Sequence, residues 1–421
     1  MIFPINSNEL KRDPLDPAQR IDREIGERGR RLVIGMSVEP DFRRLTGALL
    51  VVAGNGKYLR PIRSVTCTET LPAVTTAILR KMAADPDPSI LDIEAVQSDI
   101  ATIQAAMVEG LKRQAGKYVE RLMIVSLLDP GVQVQLDQRS THRVTICNPD
   151  LVAELTGISV IDSFATRDIS SGGTGTGLTA LPAWMMFADR SPKMASRNRL
   201  VFMIGDEVQC LFVPASDGLD VDLPEVRLST TTGLDRFREI MNTELNQEEQ
   251  FESRLARLSV DGKFDLELAE RLAEPNFPMD WNKISSQDFA RTVVVSITDD
   301  LSNAIKGQIG TAKVDEIVVD SHPDLLGTFV NQVQRCWPNA HVKSQLPGFD
   351  SSGVGCLNAV LSGMLGAMSI DQMPANVPWI SGASNQRILG RITPGSPSNW
   401  RQLLREMADF QPPAMRLRDA V

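Results

Sequence analysis

What this chain has little of narrows its chemistry before any motif is read. Its three histidines, His142, His322 and His341, are never near one another in sequence, so catalysis through an imidazole-held metal is not expected. Its five cysteines, Cys67, Cys147, Cys210, Cys336 and Cys356, are odd in number and never spaced as CxxC. That speaks against a disulfide framework and a cysteine zinc site, and suits a reducing, cytoplasmic setting. No apolar run approaches the roughly 20 residues that span a bilayer, and the opening MIFPINSNELKRDPLDPAQR turns polar too soon for a signal peptide. No membrane partner is expected. Positive charge is short as well: 44 Lys and Arg stand against 53 Asp and Glu, a net charge of −9. Non-specific nucleic-acid binding, which draws on Lys and Arg to neutralise phosphates, is therefore disfavoured.

What is present is enough apolar residue, 42% of 421 positions, to bury more than one core, so two lobes with a cleft between them are expected. Residues 1–30 are charged and proline-containing and read as an arm. The runs RLVIGMS (31–37), GALLVVA (47–53) and YLRPIR (58–63) read as a three-stranded meander. Leu, Ile, Val and Met then recur at spacings of three and four through 71–84 and 89–114, which predicts helices. RLMIVSLL, VQVQL and RVTIC follow as strands, NPDLVAELTG as a helix capped by Asn148, and ISVID as a strand. After a short helix LPAWMMFA and a polar linker DRSPKMASRN, the pattern restarts with RLVFMIG and VQCLFVP as a hairpin-like pair. Helices over much of 233–306, the strand EIVVD and helices at 325–337 and 352–368 complete it. Strand-rich starts followed by alternating helices, twice over, predict two α/β lobes of similar design. The divisions are an arm at 1–30, a first lobe at 31–198, a second at 199–394 and a tail at 395–421.

Between strand ISVID and the short helix lies RDISSGGTGTGLTALP, with Gly172, Gly173, Gly175 and Gly177 inside six residues. Successive amides in such a turn can form an anion nest. The spacing lacks the Lys-Ser or Lys-Thr of a phosphate-binding loop and departs from the dinucleotide fingerprint, so on spacing alone it reads as a strand-to-helix connection.

The stretch NPDLVAELTGISVIDSFATRDISSGGTGTGLTALPA resembles the anhydro-N-acetylmuramic acid kinase family, whose members carry TGI-VV-DFR-RDIA-GGQGAPLVPA. A second segment, VPWISGASNQRILGRITP (377–394), is similar to that family's near-terminal LPSVTGAS…VLGAI-P. The resemblance implies two ribonuclease-H-like lobes of the actin-like ATPase and sugar kinase fold around an ATP cleft. It implies use of ATP and Mg²⁺ to open a 1,6-anhydro ring with water while phosphorylating O6, and a homodimer.

The parts that handle ATP in that family depart from its pattern here. Its first phosphate loop, MSGTSLDG, corresponds to IGMSVEPDFRRLTG, which keeps Met36 and Ser37 but sets Glu39 and Pro40 where a glycine-threonine turn is expected. Its second, NIGGIAN, corresponds to MIGDEVQ, where Gly205 is followed by Asp206 and Glu207. The catalytic aspartate of DTGPGN falls on Ser229 of STTTGL, which also holds Gly233, and a hydroxyl cannot replace a carboxylate as general base. Asp235 is the nearest alternative carboxylate. The adenosine motif CGGGSRN falls on VDSHPDL, with Asp320 and Ser321 and no glycine, and a sugar-contacting glutamate falls on Gly355.

Retained are Arg167, Asp168, Gly172, Gly173 and Gly175 and the SGAS segment at 381–384, whereas the Asp and Arg of DFR are Ser163 and Ala165. Arg167, Asp168 and the glycines are candidate remnants of a sugar site, weighed against a purely local turn-fixing role. The expectation is a catalytically impaired kinase-like protein with a structural, binding or regulatory role, with no cofactor, no metal and a sugar as candidate ligand. The alternative is an active ATP- and Mg²⁺-dependent kinase of 1,6-anhydro-N-acetylmuramic acid or a related sugar.

Overall fold

The computed structural model describes residues 30–39, 42–84, 89–135, 141–188, 197–204, 208–215, 225–228, 251–273, 284–344 and 356–409. The expected arm at 1–30, except Arg30, and most of the linker at 189–198 lie outside them.

The first sheet opens with the meander β1 (Arg30–Val38), β2 (Arg44–Ala53) and β3 (Arg60–Thr70), each antiparallel to the next. Helices α1 (Ala73–Ala84) and α2 (Ile90–Ala115) lead to β4 (Leu122–Leu128), parallel to β1. β5 (Val132–Gln135) and β6 (Thr141–Val144) pair with each other as a separate two-stranded ribbon. The strand expected to run on to Cys147 stops at Val144 because the Asp129 carboxylate takes the amides of Ile146 and Cys147. Helix α3 (Pro149–Thr156) starts where its signals put it. Asn148 Oδ1 accepts from Leu151 N at 3.0 Å, a proline occupies the first turn and Gly157 closes the end in the left-handed region. Then come β7 (Ser159–Asp162), parallel to β4, α4 (Phe164–Ile169) and α5 (Ala180–Phe187).

The second sheet repeats the plan. β8 (Arg199–Ile204), β9 (Val208–Val213) and β10 (Glu225–Leu228) are antiparallel neighbours. After α6 (Phe251–Asp261), α7 (Leu266–Ala273) and α8 (Ser286–Ile309), β11 (Glu316–Ser321) adds parallel to β8. α9 (Pro323–Cys336) then returns the chain to β12 (His341–Lys343). Its spatial order, β10-β9-β8-β11-β12, matches β3-β2-β1-β4-β7 in the first sheet. Both run third, second, first, fourth, fifth, with the second strand antiparallel, so the chain folds as two ribonuclease-H-like lobes.

The remaining elements, α10 (Leu357–Ile370), α11 (Pro378–Ser381), β13 (Arg391–Thr393) and α12 (Pro397–Asp409), return to the first lobe. β13 adds antiparallel to β7, and α10 lies across β1, β2 and β4. This corrects the expected division into a second lobe ending at 394 and a tail. The physical cause is close backbone packing. Gly35 of β1 faces Gly363 of α10 with no room for a side chain, because a Cβ there would overlap the Ala359 carbonyl. Ser126 Oγ donates to the Ser362 carbonyl at 2.6 Å and Ser362 Oγ to the Ser126 carbonyl at 2.9 Å. On α12, buried Asn399 accepts from Ser159 N and Oγ at 2.7 and 2.6 Å and donates to the carbonyls of Leu122 and Met123.

Alternation along the strands divides the interior into three apolar bodies. Leu32, Ile34 and Met36 of β1 face α2 and α3, and Leu200, Phe202 and Ile204 of β8 face α8 and α9. Between the sheets, Val33 of β1 and Val201 and Met203 of β8 share one core with α5 and α10. That shared core joins the two lobes.

Candidate functional site

In open parallel sheets, ligands meet the carboxyl ends of the strands. Here four of those ends carry acids: Glu39 follows β1, Asp129 follows β4, Asp162 closes β7 and Asp320 lies near the end of β11. Two of the four are committed to holding backbone and strand edges. Asp162 receives the Ser163 hydroxyl at 2.6 Å and both Nε and Nη2 of Arg391 at 3.3 Å, which fixes β13 to β7. Asp129 accepts three backbone amides, from Gly131, Ile146 and Cys147, at 2.6, 2.8 and 3.1 Å. Burial still pushes its carboxyl above the usual range, against those amides and the Arg143 charge.

The glycine loop is zipped to the SGAS segment, 210 residues away in sequence. Thr174 N donates to the Ser381 carbonyl at 2.7 Å and Ser384 N to the Ser171 carbonyl at 2.9 Å. The two stretches that carry the family resemblance thus meet in space. Asp168 is wholly enclosed. Its Oδ2 accepts from Gly175 N at 3.0 Å and its Oδ1 from Asn376 Nδ2 at 3.2 Å, while its carbonyl accepts from Ser171 N and Gly173 N. Gly173 must be glycine because any Cβ would overlap that carboxylate. Arg167, by contrast, is exposed on the last turn of α4.

Every amide from Ser170 to Thr176 donates inside the protein. The acceptors are the carbonyls of Thr166, Asp168, Ile169, Asp168 and Ser381, then Asp168 Oδ2 and Thr174 Oγ1. An anion nest needs amides that point outward unspent. This loop has none over those seven positions. What it offers outward is the exposed surface of Arg167, Gly172, Thr174, Ser384 and Asn385.

At the carboxyl ends of β1 and β11, Ser37 and Glu39 share the β1 face of Val33, and Asp320 shares the β11 face of Val318, both turned toward the core between the lobes. Glu39 is buried, its Oε1 accepting from Thr46 Oγ1 at 3.3 Å, and its amide donates to the Arg44 carbonyl. The thiol of Cys356, just before α10, lies 3.6 Å from Thr68 Oγ1. Burial and the charges of Asp320 and Glu39 push it up to about 11, so it stays protonated. The same thiol senses one carboxylate from each lobe. Below it, β11 runs to Ser321 and passes through His322 straight into α9. His322 Nδ1 caps that helix by accepting from Asp324 N at 3.4 Å, and Pro323 has no amide to give.

Gly205, Asp206, Glu207, Ser229, Gly233, Asp235 and Gly355 lie outside the described residues. Among the described residues no three His, Cys, Asp or Glu side chains come together as a metal-holding group, and no helix is long and apolar enough to cross a membrane. Sequence reasoning missed Asn376 and Asp129. Asn376 joins Asp168, the Asn385 carbonyl and Arg387 N at 3.2, 2.9 and 2.5 Å. Nothing in the local pattern of MPANVP marks it.

Two lobes of one strand order give the protein the fold class that includes sugar kinases, Hsp70 and actin. The sequence model of the family described as anhydro-N-acetylmuramic acid kinase matches residues 68–205, which include the glycine loop. A protein of that name from Gloeobacter violaceus is 22% identical over 384 residues, 86% of this chain and 98% of its own length. One from Nitrosomonas europaea is 25% identical over 319 residues, 70% of this chain and 84% of its own. Among solved structures, component A of (R)-2-hydroxyglutaryl-CoA dehydratase from Acidaminococcus fermentans covers 80% of this chain at 10% identity. Its TM-score is 0.40, too loose a likeness to transfer positions. Over these spans the chain is similar to the anhydro-N-acetylmuramic acid kinase family.

Proposed function

We propose that this protein is a non-catalytic member of the anhydro-N-acetylmuramic acid kinase family, a structural, binding or regulatory protein of the cytoplasm that forms a homodimer and does not turn over ATP. The observation that carries this reading is the β11-to-α9 passage, where Pro323 has no amide and those of Asp324, Leu325 and Leu326 are all taken by His322, leaving none for a phosphate. The family's enzymes rely on ATP with Mg²⁺, and the residues described here do not fit that group: the β11-to-α9 passage is an N-capped helix start with an acidic first turn. Ser229 at the position of the family's base points the same way from sequence alone.

On the other side of the groove, the intact zipper between the glycine loop and SGAS supports retention of a sugar-sized site, with Arg167 as its exposed cation. In this reading Asp168 and the glycines set the shape of that site and do not contact the ligand. The second reading, an active ATP-dependent sugar kinase, is favoured by one fact: the Gloeobacter violaceus relative matches over 98% of its length.

The full chain incubated with Mg-ATP and 1,6-anhydro-N-acetylmuramic acid is expected to release no ADP above background and to show no thermal shift with nucleotide. Sugar-dependent ADP release would establish the second reading in place of the first. Sizing by light scattering, expected at twice 46.2 kDa, tests the dimer.

A further inference from the structure

A two-stranded hairpin is marginal on its own in water, yet β5 and β6 pair only with each other among the described residues. Their order must come from what they touch. The base is held firmly. One carboxylate, Asp129, grips both legs, taking Gly131 N on the way in and Ile146 N and Cys147 N on the way out. Gln97 of α2 donates to the Thr145 carbonyl at 2.8 Å, Val132 is buried in the first-lobe core, and β5 lies against α1. The glycine loop is also held firmly, by Asp168, Asn376 and Ser381.

Arg143 runs between these two fixed bodies. Arg143 of β6 donates through Nη2 to the Asp129 carbonyl at 2.6 Å and through Nη1 to the Gly175 carbonyl at 3.5 Å. The first bond is short and lies at the hinge. The second sits at the outer limit of hydrogen-bond length and is the easier to break. We propose that the β5–β6 ribbon is a strap beside the glycine loop, hinged on Asp129 and latched by Arg143 to the Gly175 carbonyl, so that the state of the loop sets how often the ribbon opens. The two bonds of one guanidinium make Arg143 a positioning residue: it senses the loop at one nitrogen and the hinge at the other.

The strap is testable on the full chain without any ligand, by hydrogen exchange of peptides covering 132–135, 141–144 and β4. The ribbon peptides are expected to exchange faster than β4 in the unaltered protein, as a locally opening unit does. Arg143→Met should accelerate the ribbon about tenfold and leave β4 unchanged. Asn376→Ala, which loosens the loop without touching the ribbon, should also accelerate the ribbon, but should add nothing in the Arg143→Met background. Contacts that act through one latch are non-additive in this way. Unchanged ribbon exchange in Arg143→Met, or additive effects in the double variant, would overturn the proposal. So would an equal rise in β4, since the arginine would then be supporting the whole lobe.

Discussion

The two lobes share a strand order and differ in how the chain closes them. The second is local: β8 to β12 and the helices that cover them come from one stretch, 199–343. The first is sealed by residues from the far end of the chain. Arg31 meets Asp371 across 340 positions, Ser126 meets Ser362 across 236 and Asn399 meets Leu122 across 277. One lesson is energetic. A lobe closed by distant segments concentrates its cohesion in a few buried polar joints, and the loop-closure entropy for each must be met before any of them forms. The locally closed lobe spreads the same task over many apolar contacts between neighbouring helices.

The largest break in that comparison should come from Asp371. Its side chain is fully buried, paired with Arg31 Nη1 at 2.5 Å and Nη2 at 3.1 Å, and it also receives Gly56 N at 2.7 Å. Asp371→Ala would leave the buried Arg31 guanidinium with only the Gly54 carbonyl at 2.9 Å and Glu406 at 3.8 Å, and the Gly56 amide without its acceptor, for which a loss of about 3 kcal/mol is expected. Denaturant unfolding followed by hydrogen exchange should place that loss in β1, β2 and α10 and leave α8 and α9 at their original protection. Equal loss in both lobes would show that the shared middle core makes them one cooperative unit.

A smaller and reversible break is available in the second lobe through pH. Burial works to raise the Glu316 carboxyl, but hydrogen bonds from Lys343 and Arg199 overcome it and bring it from 4.5 to about 2. A folded value below the unfolded one means that the stabilisation is complete above about 4.5 and disappears as pH falls through about 2. Arg199 also donates to the Phe187 carbonyl at the end of α5, so this carboxylate indirectly steadies the passage between lobes. Thermal unfolding at steps from pH 5 to pH 2 should fall more steeply for the unaltered protein than for Glu316→Gln. Parallel curves would mean that the pair contributes nothing net.

Much of the doubled plan is readable in the residues because its signals are local. The first two strands of the meander are short, near-continuous apolar runs, and α3 carries its cap, its first-turn proline and its closing glycine within ten residues. The return of α10 to the first lobe is not readable: that helix is apolar on every side, so no stripe indicates which sheet will bury it. β13 is three residues long, and α4 is six, with an N-cap Ser163 in the left-handed region and no side-chain cap bond, too short for periodicity to register. In the candidate site, resemblance located the glycine loop and SGAS, and their junction in space agrees with that pairing. The internal spending of the loop amides was invisible in full, because Thr174 N goes to Ser381 and the Asp168 carboxylate that takes Gly175 N is held by Asn376, and both partners reach the loop only through the fold.

The finest test of the contrast between the lobes uses two glycines. Gly35 sits where β1 touches α10, and a Cβ would collide with backbone that neither element can withdraw without separating. Gly327 lies on the exposed side of α9 with nothing within 4 Å of where its Cβ would stand. Gly35→Ala is expected to cost about 3 kcal/mol through overpacking. Gly327→Ala should instead stabilise by about 0.5–1 kcal/mol, because alanine loses less backbone freedom than glycine on entering a helix. Opposite signs from one chemical change, measured as urea midpoints, follow from closure by a distant element in one lobe and by a locally packed helix in the other. If Gly327→Ala also destabilises, α9 is not the unstrained local cover that its capped start and open surface indicate, and the second lobe carries a constraint of its own on that face.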